Sequence, residues 1–350
     1  MVRKATAQDV ADLAGVSRSA VSLVLNGRAQ GHIARDKQQA IVDAARQLNY
    51  TPNAVAVSLR NRRTRTIGVL TWSSPSGFSI PMLHATLKTT TAAGYLPIFM
   101  DTANDRDHQS QALATLRDHQ VDALLVIAPD LIDYWPAEVM RTIPTTLVNC
   151  LDPSGGLTSV VADEHGAGSA AAGVLIEAGH ISFGVIAGPS DSMQSRLRLE
   201  GIEAAAAANR IGVSVQAVPN RDIDSGFAAA RTLLSASEAP TALICTHERL
   251  AVGAVLAAAN LGVAIPADLS LVSMDDGEQL ASQLVPHLTT IERADRAMAE
   301  QAVTAMLQGI DEDDGGEIRQ LTLDCSSAIR DSVARPRPPN RRPCPQADRR

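Results

Sequence analysis

Two sets of side chains have the types and spacing to do chemistry. The first is Arg18, Ser19 and Ser22, flanked by Leu23, on a short segment between Ser17 and Asn26. An arginine can bond guanine O6 and N7 as a fork, a serine can reach a base or a phosphate, and a leucine can cover a thymine methyl. The second set is spread along the chain. Asp163 ends a β-branched run, Arg198 opens a predicted helix in an Arg-x-x-Gly pattern, and Asp275 follows another β-branched run. Two carboxylates accepting from hydroxyls and one guanidinium donating in a fixed fork would clamp a polyol or sugar. The same three residues also read as ordinary capping and an Arg–Asp ion pair.

Catalytic signatures are missing. There is no P-loop, the string His165-Gly-Ala-Gly-Ser lacks GxGxxG spacing, and no GxSxG elbow appears. His247-Glu-Arg-Leu-Ala lacks the second histidine of a zinc helix, and Cys150, Cys245, Cys325 and Cys344 are scattered with no CxxC. Glu164-His165 and Asp105, Asp107 and His108 read as solvated loop or helix surface, and the acidic run Asp311–Glu317 as an exposed connection. No catalytic residue, metal or cofactor is expected. No apolar run approaches the ~20 residues that cross a bilayer, and MVRKATAQDV lacks the apolar core of a signal peptide, so a reducing cytosolic compartment is expected, with no membrane partner.

The overall charge of −7 conceals an asymmetry. Residues 1–66 hold eleven Lys/Arg against four Asp, a net +7, and residues 335–350 hold six Arg against one Asp, a net +5. The stretch between them carries −19. A basic head on an acidic body points to a polyanion that touches the head alone. Aromatics are only 3% of the chain, which argues against a stacking platform for single strands.

The elements that must position Arg18 are legible locally. Thr6 followed by Asp9 has capping-box spacing, Val10, Leu13 and Ala14 form an apolar stripe, and Gly15 permits a left-handed stop. Ser17 then caps a second helix with Ala20, Val21, Val24 and Leu25 inward, ended by Asn26-Gly27. This is a helix-turn-helix, whose second helix places its N-terminal part in the major groove. A third helix is expected from about Arg35 to Leu48, packing through Ala40, Ile41, Ala44, Ala45 and Leu48. From Pro52 and Asn53 a helix of barely two turns precedes the basic run Arg60–Arg65. So short a helix is unstable alone, and Leu59 on it is the kind of residue that wedges between base steps in the minor groove.

Beyond residue 66, β-branched runs alternate with Ala-rich helical stretches. Strands are expected at 67–71, 96–100, 123–127, 145–149, 160–162, 182–187, 213–218, 242–245, 269–274 and 288–291, with helices such as 166–178, 199–208, 223–235, 250–261 and 294–308. The pattern is parallel α/β, long enough for two doubly wound parallel-sheet subdomains facing a cleft, the default ligand site. The expected domains are 1–50, the helix-turn-helix head; 51–65, a hinge helix and linker; 66–334, a bilobed effector-binding and dimerisation body; and 335–350, a disordered Pro/Arg-rich tail.

Asp9-Val-Ala-Asp-Leu-Ala-Gly-Val-Ser, Val21-Ser-x-Val-Leu-Asn-Gly, Leu48-Asn-Tyr-x-Pro-Asn and Thr64-Arg-Thr-Ile-Gly-Val, correctly ordered over about seventy residues, resemble the lactose-repressor/galactose-repressor family of bacterial regulators. Val160-Val-Ala-Asp-Glu, Arg198-Leu-Glu-Gly and Met274-Asp-Asp extend the resemblance to about residues 5–333. It implies an N-terminal all-α head and an α/β body of periplasmic-binding-protein-like type. It also implies a homodimer on a pseudo-palindromic double-stranded operator, controlled by a small-molecule effector. The implied DNA-binding residues are Thr6, Ser17, Arg18, Ser19, Ser22, Leu23, Asn26, Asn53, Ala56, Leu59 and Arg60, and the implied effector residues are Phe78, Asp163, Arg198, His247 and Asp275. Four departures stand out: Ile33-Ala34 replaces a Ser cap, Ser76-Gly77-Phe78-Ser79 replaces Asn-Pro-Phe-Phe, His247-Glu248 replaces Asn-Asp, and Val148-Asn149-Cys150 replaces Val-Asp-Arg. Phe78 reads as a stacking floor or as core. A body that only dimerises, blind to any ligand, stays open at this point. A solute-binding protein would need an export signal and no basic head.

Overall fold

The computed structural model describes residues 5–26, 29–51, 63–72, 79–277, 279–311 and 318–336. The hinge positions Asn53, Ala56, Leu59 and Arg60, the candidate Phe78, acidic residues 312–317 and tail residues 337–350 lie outside the described residues. The chain divides into two compact units, Met1–Arg65 and Thr66–Arg350.

In the first unit, α1 (Ala7–Ala14), α2 (Arg18–Leu25) and α3 (Arg35–Gln47) surround a small core. Thr6 and Asp9 form a full capping box and Gly15 takes φ +62°, so α1 stops where the sequence says it should. Val10, Ala11, Val21, Ile41, Ala44 and Ala45 are buried together. A fully buried Val or Ile contributes about 1.5–3 kcal/mol, so a handful of such residues holds three short helices that would not persist alone. Two inward assignments are corrected. Leu13 is 48% exposed because the α1 stripe turns through Val10, Ala11 and Ala14, and Ala40 is exposed one residue ahead of Ile41. At the start of α3, Ala34 offers no side-chain cap, and the Gln38 amide instead donates to the Ile33 carbonyl at 2.7 Å.

The second unit holds two six-stranded sheets, ordered β11-β5-β4-β3-β1-β2 and β12-β10-β9-β8-β6-β7. The N-lobe strands are β1 (Thr66–Thr71), β2 (Leu96–Asp101), β3 (Ala123–Asp133), β4 (Thr145–Leu151), β5 (Thr158–Ala162) and β11 (Gln320–Leu323). Those of the C-lobe are β6 (Ser182–Ala187), β7 (Gly212–Ala217), β8 (Ala242–Cys245), β9 (Ser270–Met274), β10 (Thr289–Glu292) and β12 (Ser326–Ala328). Pairing is parallel except between β10 and β12. Helices α4 (Ile80–Ala92), α5 (Arg106–Asp118) and α10 (Asp295–Asp311) cover the first sheet, and α6 (Glu164–Glu177), α7 (Met193–Ala208), α8 (Ile223–Leu234) and α9 (Glu248–Asn260) the second. Each sheet has an apolar cluster on both faces, the mark of double winding. The chain passes between lobes after β5, between β10 and α10, and between β11 and β12. α7 starts at Met193, so Arg198 lies in its second turn and does not open it.

Candidate nucleic-acid interface and effector cleft

In the head, Ser17 caps α2 by accepting from the Ala20 amide at 3.2 Å, and its hydroxyl lies 2.9 Å from that of Ser19. Arg18 and Ser19 are exposed, while Ser22, Leu23 and Asn26 are partly buried on the same helix. Asn26 closes it by donating its amide to the Ser22 carbonyl. Thr6 is exposed at the cap of α1. Val21 is buried, and this fixes which side of α2 faces outward. A two-turn helix whose exposed first turn offers a guanidinium and a hydroxyl can enter a major groove end-on.

In the body, the site begins with two glycines. A Cβ on Gly168 would stand 2.0 Å from the Arg198 carbonyl oxygen, and one on Gly201 2.0 Å from that of His165. The absence of both lets the α6 and α7 backbones touch, and the contact sets Arg198 beside Glu164. Arg198 is 1% exposed. Its Nε donates to Glu164 Oε2 at 2.6 Å, and its two Nη atoms grip Asp275 as a fork at 2.7 Å each. Nη1 also donates to the Thr246 carbonyl at 2.5 Å. Four of the roughly five N–H groups of a guanidinium are therefore used within the protein. Burial opposes charge on Arg198, but Asp275 and Glu164 outweigh it and hold the guanidinium protonated well above its ordinary value. Burial likewise raises the Asp275 carboxyl, and Arg198 overrides it, bringing the group below the usual carboxylate range.

His247 adjoins this pair. The residue is buried, its Nδ1 is 3.0 Å from the Thr246 hydroxyl and its Nε2 is 3.4 Å from Arg221 Nη1. Burial and the Arg198 charge push its pKa well below the ordinary histidine value against the pull of Asp275, so the ring is neutral. Asp163 caps α6, accepting from the Gly166 amide at 2.8 Å. The structure thus gathers Arg198, Asp275 and His247, with the ion pair and the cap both present.

Glu164 is corrected from solvated surface to one of the most buried carboxylates of the body, 2% exposed between Arg198 and the Gln194 amide, which donates to it at 2.8 Å. His165, the next residue, is exposed. Sequence reasoning also missed Gln194, Ser195, Arg221 and Asp130. Arg221, in the loop after β7, forms a two-pronged ion pair with Asp130, at the far end of β3 in the other lobe. The one available signal was an Arg directly before the Asp222 cap of α8, which does not reveal a partner 91 residues away.

A helix-turn-helix head joined to a bilobed body with polar residues at the ends of its parallel strands defines a ligand-responsive DNA-binding regulator. Residues 6–53 match the bacterial regulatory proteins of the lacI family, and residues 172–333 match the periplasmic binding protein-like domain. The transcriptional repressor PurR of Proteus mirabilis is 33% identical over 312 residues, covering 87% of this chain and 90% of its own length. The ribose operon repressor of Escherichia coli is 33% identical over 315 residues, with 87% and 93% covered. Among solved structures, the Lac repressor dimer bound to operator and the anti-inducer ONPF superposes with a TM-score of 0.78 at 25% identity, covering 95% of this chain and 100% of that one. The chain belongs to the lacI family of bacterial regulatory proteins. It is a transcriptional regulator with a DNA-binding head and an effector domain, and not an enzyme. Among the described residues, no helix is long and apolar enough to cross a membrane.

Proposed function

We propose that the protein is a cytoplasmic repressor that binds a pseudo-palindromic operator as a homodimer, its affinity set by a sugar or sugar derivative in the cleft. The observation that carries the reading is the exposed Arg18–Ser19 edge at the start of a helix fixed by buried Val21. Residues 1–50 form the reading head, with Thr6, Ser17, Ser22, Leu23 and Asn26 supporting Arg18 and Ser19. Residues 51–65 supply the hinge, with Leu59 as the minor-groove lever, Arg60 beside it against the groove or backbone, and Asn53 and Ala56 as further DNA-binding residues. Residues 66–334 bind effector and dimerise, and residues 335–350 are a tail. One such head reads only a few base pairs, so specificity requires two, related by the dimer axis. Similarity to PurR and to the ribose operon repressor supports the repressor assignment, and similarity to the Lac repressor dimer on its operator supports the symmetry.

For the effector, Arg198, Asp275 and His247 form the floor of the cleft, Asp163 stands at its hinge side, and Phe78 is carried as an effector residue by the family resemblance alone. A ligand between Asp130 and Arg221 has to offer a donor to one and an acceptor to the other, which paired hydroxyls do. A lone anion leaves Asp130 without its partner. Effector binding shifts operator affinity by the same factor that operator binding shifts effector affinity.

Selection of random duplexes by the purified protein, followed by thermal melts with a panel of sugars, polyols, sugar phosphates and nucleobases, tests the reading. Two inverted half-sites and a stabilising sugar are expected, because a native-state ligand at a hundredfold excess adds about 2.7 kcal/mol. A single asymmetric site would refute the dimeric operator. A body that only dimerises is the second reading, favoured by the use of most Arg198 donors within the protein. A flat panel beside intact operator binding would favour it, or an effector outside the panel.

A further inference from the structure

We propose that the Asp130–Arg221 ion pair is a latch that holds the two lobes together. Asp130 reaches across because β3 outruns its regular pairing. Its register with β4 is continuous to Ile127, shifts, and resumes at Ile132, so Ala128–Leu131 is the irregular stretch. Bulges of this kind re-aim side chains, and this one delivers Asp130 to the guanidinium of Arg221, with both carboxylate oxygens engaged. The two side chains are only 17% and 20% exposed, so solvent screening is reduced relative to a surface pair.

Two further contacts make the pair more than a local event. On the same irregular stretch, the Pro129 carbonyl accepts from Arg293 Nη1 at 3.4 Å, and Arg293 lies on the passage between β10 and α10. Behind Arg221, Nη1 lies 3.5 Å from Gln194 Oε1, and the Gln194 amide donates to Glu164, the partner of Arg198. A chain of polar contacts therefore runs Asp130–Arg221–Gln194–Glu164–Arg198–Asp275, from the N-lobe into the floor of the C-lobe. Loss of Asp130 would also remove the carboxylate paired with Arg221 beside His247. The proposal concerns the cleft to which the effector is assigned. Its test is made on ligand-free protein, so its failure would leave that assignment standing.

The experiment is amide hydrogen exchange of the full-length, ligand-free chain, comparing residues 128–133 and 219–223 in wild type, Asp130→Asn, Arg221→Gln and the charge-exchanged double variant Asp130→Arg/Arg221→Asp. Each single variant is expected to exchange about tenfold faster in both segments, the change that corresponds to about 1.4 kcal/mol. The double variant is expected to recover at least half of the lost protection. Acceleration confined to the mutated segment, or singles that exchange like wild type, would overturn the latch. A double variant no slower than the singles would overturn it too, because a merely structural role for either residue is not rescued by exchanging the charges.

Discussion

Replacing Arg198 by methionine keeps most of the side-chain volume and removes one charge. Glu164, whose side chain is 0% exposed, and Asp275, at 19%, would then share a buried site with no bonded cation. Breaking a buried pair by deleting one partner costs about 3–5 kcal/mol. A body of this size loses roughly 2–4 °C of melting temperature per kcal/mol, so the variant is expected to melt about 10 °C below wild type at pH 7. The pH dependence gives a sharper test. In the wild type Asp275 titrates below its unfolded value, so its contribution is present above about pH 4 and is lost as the pH falls through the folded value. In Arg198→Met, Asp275 loses the guanidinium that outweighs its burial and titrates above its unfolded value, so the folded state gains protons and the deficit shrinks between pH 7 and pH 5. Adding Glu164→Gln and Asp275→Asn removes the orphaned charges, and more than half of the loss should return. Calorimetric melts at both pH values decide the matter. A variant melting within a degree of wild type, or one whose deficit widens toward pH 5, would refute the view of Arg198 as the bolt of the C-lobe and restore it as a free ligand clamp.

Four other substitutions probe separate parts of the argument. Arg18→Ala should weaken operator binding by about 1–3 kcal/mol and relax preference at one base pair, as read by fluorescence anisotropy on single-site operator variants; an equal loss on all DNA would contradict base readout. His247→Gln removes a buried neutral imidazole whose folded pKa lies below its unfolded value. Wild-type stability is therefore full above about pH 6.5 and falls below it by up to about 1.4 kcal/mol per pH unit, and denaturant melts of the variant should lack that share of the slope. Ala34→Ser supplies the missing side-chain cap of α3 and should stabilise the head by about 1 kcal/mol in thermal melts. Gly201→Ala places a Cβ 2.0 Å from the His165 carbonyl, forcing α6 and α7 apart at a cost of about 1–3 kcal/mol in urea melts.

The head was legible because its signals are local. A cap, a left-handed glycine and an apolar stripe all act within four residues, and Thr6, Gly15 and Ser17 sit where those rules put them. The strands of the body were legible for a similar reason, since each is a short β-branched run between breaks. The exceptions are β11, Gln-Leu-Thr-Leu, and β12, Ser-Ser-Ala, edge strands too polar and short to stand out, ordered by pairing with β5 and β10. α7 began earlier than expected because Met193–Leu197 carries no distinct apolar stripe, and the Ser192 cap alone marks its start. Glu164 was misjudged for a deeper reason. A carboxylate in a polar stretch looks solvated until its partner is known, and Arg198 is 34 residues further on.

The same contrast separates the parts of the cleft that can move from those that cannot. Arg198 binds α6, α7 and the ends of β8 and β9 into one polar core, all within the C-lobe. With its donors committed there, it gives little for the N-lobe to pull on. Between the lobes, the side-chain ties described here are the Asp130–Arg221 pair and the longer Arg293–Pro129 contact, beside the chain passages themselves. A ligand that changes how the lobes meet therefore works against that pair, about 1.4 kcal/mol if its loss speeds exchange tenfold. Coupling between an effector and a distant site is usually of the order of 1–3 kcal/mol, so a tie of that worth is enough to bias the arrangement of the lobes.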